Sequence, residues 1–109
     1  MEWHPDVPDL PIKKPKKIER LEKMDRRSLD SMPKVEVQEL VDDAAQSVAD
    51  AYKKEVKGAN FDGCIEIVSV ALSVTGSAIG GTVGTHMVAE SETASHRACR
   101  LVFPLPEER

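Results

Sequence analysis

The sequence predicts an α+β protein: a Pro-rich N-terminal arm and a short basic helix, then one long amphipathic helix packed on a small antiparallel three-stranded sheet. Three observations predict it. Pro5, Pro8, Pro11 and Pro15 crowd the first fifteen residues, a density that forbids a helix interior and suits an extended, polyproline-like arm. Val37, Leu40, Val41, Ala44, Val48, Tyr52 and Val56 recur at spacings of three and four, the signature of one helix face. From residue 64 to 75 the chain alternates, with Val68, Val70, Leu72 and Val74 on one side and Ser69, Ala71 and Ser73 on the other, which reads as a strand of period two. These elements divide the chain into residues 1–30, arm and basic helix, and residues 31–109, a small α+β domain.

In the arm, Trp3, Val7, Leu10 and Ile12 are the apolar candidates for anchoring on a partner or a neighbouring subunit, since aromatic and large apolar side chains dominate interface energetics. Residues 16–27 read as a short helix. Pro15 suits its first turn, Ile18, Leu21 and Met24 form a narrow apolar stripe, and Glu19–Lys23 and Glu22–Arg26 are i,i+4 pairs in the favourable order. A helix of this length is marginal alone and needs outside contacts.

After the connector at residues 28–33, residues 34–57 form the long helix, with Pro33 in its first turn, acids early (Glu36, Glu39, Asp42, Asp43) and lysines late (Lys53, Lys54, Lys57). This order complements the helix dipole, and Gly58 is placed to end the element. Residues 59–63, with Asp62-Gly63, read as a turn. The Gly-rich stretch 76–84 reads as a hairpin connection. Residues 85–90 and 97–103 read as the second and third strands, separated by a polar turn at 91–96. A meander with a helix on one face follows from that order.

Composition narrows the function classes. Of 109 residues, 40% are apolar and 31% charged, the balance of a folded domain. One Trp, one Tyr and two Phe leave an aliphatic core, and a small core makes oligomerisation an attractive way to bury more surface. The net charge of −4 conceals a basic block: residues 13–27 carry eight bases against three acids, whereas residues 28–63 carry eight acids against four bases. Lys13, Lys14, Lys16, Lys17, Arg20, Arg26 and Arg27 are the candidate binding cations. They suit an acidic protein surface, the chain's own acidic helix or that of a neighbour, or a salt-sensitive contact with nucleic-acid phosphates; no aromatic interleaves them to stack bases.

Two cysteines make no disulfide framework, and the N-terminus carries no secretory signal pattern, so reduced thiols in the cytoplasm are the default expectation; a Cys64–Cys99 bridge requires the two strands that carry them to be neighbours. Ile67 to Thr85 lacks charge over nineteen residues, but its Ser, Thr and Gly content and unanchored flanks argue against a membrane span.

Chemistry is sparsely signalled. Cys64, His86, His96 and Cys99 are weak zinc candidates, because only His96-x2-Cys99 has tight ligand spacing. Gly76-x3-Gly80-Gly81-x2-Gly84 fits neither a P-loop nor a dinucleotide fingerprint. No serine sits in Gly-x-Ser-x-Gly, so no catalytic residue, cofactor or metal is assigned. The arm–helix–sheet layout resembles that of small accessory proteins of viruses and mobile elements, which would put the protein in a host cytoplasm or a virion. The expectation is a non-enzymatic protein-interaction module, an accessory or inhibitor-type homo-oligomer that binds a protein partner or itself through its arm. A nucleic-acid-binding regulator using residues 13–27, and a small enzyme or zinc protein, are the alternatives.

Overall fold

The computed structural model describes residues 10–105. They form six helices: α1 (Lys16–Glu22), α2 (Arg26–Asp30), α3 (Lys34–Glu55), α4 (Phe61–Ile79), α5 (Gly81–Ala89) and α6 (Ser91–Val102). No strand occurs among the described residues, so the α+β expectation and its three-stranded sheet are overturned. The resemblance to arm-and-sheet accessory proteins falls with the sheet.

The first expected strand is the central helix, α4. Cys64, Val68, Ala71, Leu72, Thr75 and Ile79 are buried along it, and their spacings of three, four and one follow the turn of an α-helix. The opposite side carries Asp62, Glu66 and Ser77, all exposed. The apparent period of two arose because α4 packs on several neighbours, so apolar residues flank the buried stripe on both sides. Its start is signalled by Asn60, whose side-chain oxygen accepts the backbone N–H of Gly63 at 2.8 Å, an N-cap bond that replaces a missing intrahelical partner. The expected turn at 59–63 is therefore this helix's entry. By length and composition α4 is apolar enough to cross a membrane; here it is the core of the bundle.

The expected hairpin at 76–84 is a break between two helices. Gly80 ends α4 with φ +67°, a left-handed value that suits a residue without Cβ. The chain reverses and α5 folds back against the last turns of α4. The second expected strand lies within α5. The third lies in α6, where Ala94, Ser95, Ala98 and Cys99 are buried as a helical stripe.

The long helix stands as α3, burying Val37, Val41, Ala44, Ala45, Val48, Ala49 and Tyr52. The short helix expected over 16–27 is two helices, α1 and α2, with a break at residues 23–25. Pro15 and Pro33 occupy the N-cap positions of α1 and α3.

α3, α4 and α6 make the bundle, with α4 antiparallel to the other two. Cys64 bonds Cys99 and Ser69 Oγ meets Ser95 Oγ at 2.9 Å, so numbers rise along α4 as they fall along α6. Arg97 meets Asp42 and Lys53 Nζ donates to the Val102 carbonyl, so α3 and α6 run the same way. Alanines at 44, 45, 49, 71, 94 and 98 let these helices approach closely. α1 lies on α3 and α4, and α2 lies on α5. Ile12, Ile18, Leu21 and Leu29 are buried in the same core as the bundle, which supplies the outside contacts that helices this short require.

Candidate interaction surface

α1 buries Ile18 and Leu21, which turns the rest of the helix outward. Lys16, Arg20 and Lys23 follow one another at spacings of four and three and are all exposed, so they form one stripe. Lys17 stands exposed beside them. None of these four side chains makes a hydrogen bond or ion pair with another described residue. Lys23 was absent from the expected binding set, although its spacing from Lys16 and Arg20 identifies it.

The other expected cations have work inside the fold or mixed surroundings. Lys14 Nζ bonds Glu22 Oε1 at 2.8 Å with its side chain only 11% exposed. Lys13 is exposed, and its backbone N–H donates to Glu55 Oε1 at 3.0 Å. Arg26 reaches from α2 to the end of α4, donating to the carbonyls of Ile79 and Gly80; a cation there satisfies orphan carbonyls and complements the helix dipole. Arg27 is exposed on an open groove shared with Asp25 and Asp30, so its surroundings are of mixed charge. No ion pair joins α1 to α3 among the described residues: Asp42 is held by Arg97 at 2.7 Å, and Glu55 accepts the Lys13 backbone N–H.

Of the arm's anchors, Trp3 and Val7 lie outside the described residues. Leu10 is half-buried against the core and Ile12 is 5% exposed, so Ile12 serves the chain's own packing. The outer side of α3 carries a second unpaired stripe: Glu36, Glu39 and Asp43 are exposed, and their carboxylates have no partner among the described residues.

The four metal candidates are not brought together. Cys64 and Cys99, expected as reduced thiols on two strands, form a buried disulfide between α4 and α6 with Cα atoms 5.8 Å apart, which removes both as metal-binding thiolates. His86 Nε2 lies 3.2 Å from Gln38 Oε1. His96 packs edge-on against Phe61, whose ring also lies under the Arg100 guanidinium at 3.8 Å. No group of three or more His, Cys, Asp or Glu placed to hold a metal ion occurs among the described residues.

Comparison with protein-family models, curated proteins and solved structures finds no match to this chain. The surface itself therefore carries the functional argument.

Proposed function

We propose that this chain is a non-enzymatic protein-interaction module that binds an acidic surface, on a partner protein or a neighbouring subunit, through the outer face of α1. One observation carries the reading: Lys16, Lys17, Arg20 and Lys23 stand together, exposed and without a carboxylate partner among the described residues. Uncompensated charge of one sign on a rigid element steers an oppositely charged partner and sets its orientation. Burial of Ile18 and Leu21 holds that face at a fixed angle to the bundle, so the cations are presented by a positioned helix.

Titration of labelled protein with poly-L-glutamate, followed by fluorescence anisotropy, tests the reading. Saturable binding that weakens with salt and is lost in Arg20→Glu/Lys23→Glu supports it. No binding at low ionic strength overturns it. Nucleic-acid phosphates are the competing anion, and the same titration with a generic DNA duplex and a generic RNA separates the two: tighter, salt-steep binding to either moves the function to the nucleic-acid class.

The Cys64–Cys99 disulfide favours an oxidising compartment over the reducing cytoplasm as the place of work. Alkylation of free thiols in freshly quenched cells tests this, with both cysteines protected from label if the disulfide is present.

A further inference from the structure

We infer that the acidic surface is a second copy of this chain, its α3 lying antiparallel against α1. The inference rests on the reading of α1 as a binding face and names its partner. Its ground is a match of spacing between two unpartnered stripes. Along α1 the cations Lys16, Arg20 and Lys23 step by four and then three; along α3, read backwards, Asp43, Glu39 and Glu36 step by four and then three. One antiparallel register therefore opposes all three pairs at once: Lys16 to Asp43, Arg20 to Glu39, Lys23 to Glu36. All six side chains are exposed, and none has a hydrogen bond or ion pair within the described chain.

The same register aligns an apolar pair. Val35, one residue before Glu36, is a large aliphatic side chain left 67% exposed. The residue that falls opposite is Met24, half-buried in the break just past the C-cap of α1. Sliding α3 by one residue loses the charge match and the Val35–Met24 match together. Acids of α1 are not brought against acids of α3: Glu19 falls opposite Leu40, and Glu22 is already held by Lys14. Each copy carries both stripes, so reciprocal engagement closes a two-fold dimer with residue i touching j and j touching i. Exposed ion pairs are individually weak and screened by salt, so the association is salt-sensitive and of modest affinity.

The test is sedimentation equilibrium on the full chain at low and high ionic strength, with two charge-reversed variants, K16E/R20E/K23E and E36K/E39K/D43K. The wild type dimerises at low salt and dissociates as salt rises. Each variant alone opposes like charges at both contacts and dimerises at least about tenfold more weakly. An equimolar mixture of the two variants places acid against base at both contacts and restores a dimer. Helical circular dichroism of each variant confirms that its fold is retained. A wild type that stays monomeric at low salt overturns the inference, as does a folded, equimolar mixture that stays monomeric. If that monomer still binds poly-L-glutamate, the interaction-module reading stands while the second copy is rejected; if it binds only the DNA duplex or RNA, the partner is a nucleic acid; if it binds none of them, both readings fall.

Discussion

The carbonyl oxygen of Gly76 in α4 lies against Gly84 in α5, and each glycine's missing side chain is the space the other backbone fills. A Cβ on Gly76 would come within 2.6 Å of the Gly84 carbonyl oxygen and 2.8 Å of a Val88 methyl, and a Cβ on Gly84 would run into the Gly76 oxygen. Alanine gains roughly 1 kcal/mol over glycine in a helix interior, but overpacking against backbone costs about 1–3 kcal/mol and backbone cannot rotate aside. We expect Gly84→Ala and Gly76→Ala to be net destabilising, by up to roughly 2 kcal/mol. Thermal unfolding checks this, as each kcal/mol lowers Tm by about 4–8 °C in a domain of this size.

The disulfide closes a loop of 35 residues. Loop-closure entropy of that size corresponds to about 4 kcal/mol. Cys64→Ala/Cys99→Ala, or reduction of the wild type, is expected to lower the unfolding free energy by about 3–4 kcal/mol. Urea titration with and without a thiol reductant measures it, and a reductant effect on the wild type that vanishes in the double variant attributes it to this bond.

Arg26 joins α2 to the end of α4 through two carbonyls. Arg26→Met keeps the stem and removes the donors, leaving the Ile79 carbonyl without its cationic cap. A loss of about 1–2 kcal/mol is expected. Hydrogen exchange checks the location of the effect: amides of the last turn of α4 and of α2 lose protection while those of α3 do not.

Thr75 is fully buried and its hydroxyl has no hydrogen-bond partner among the described residues. Desolvating an unpaired hydroxyl costs about 1–3 kcal/mol. Thr75→Val exchanges the hydroxyl for a methyl of similar size and is expected to raise stability by roughly 1 kcal/mol. A lower urea midpoint in this variant would overturn the assignment of Thr75 as an unsatisfied group.

Local signals made α3 legible from the sequence. A single buried face, acids at its start and lysines at its end all point to a helix, and its observed bounds differ from the expected ones by two residues at the C-terminus. α4 was not legible by the same reading, because it packs against α1, α3, α5 and α6 and is apolar on more than one side. Alternate β-branched residues then mimic a strand although Cys64, Val68, Ala71, Leu72, Thr75 and Ile79 follow a helical period. Tertiary packing overrode β propensity. The local signal for its start is Asn60, whose side chain caps the Gly63 N–H three residues on, an N-cap pattern that in sequence also reads as a turn. Once α4 is a helix, the glycines at 76–84 become a helix break and a close crossing, and the remaining strands lose the partner that would have made a sheet.

The cations of the candidate surface were legible as a composition shift, but their division was not. Sequence alone grouped Arg26 and Lys14 with Arg20, whereas the fold spends Arg26 on a helix end and Lys14 on Glu22. Which carboxylates remain unpaired on α3 likewise depends on Arg97, fifty-five residues from Asp42, a distance no local pattern spans.

Because the Cys64–Cys99 bond ties the start of α4 to the end of α6, a protease that cuts once between those cysteines releases nothing. The nicked chain keeps its mass until a reductant separates two fragments, so the intervening segment can be opened by cleavage while both parts of the molecule stay covalently joined.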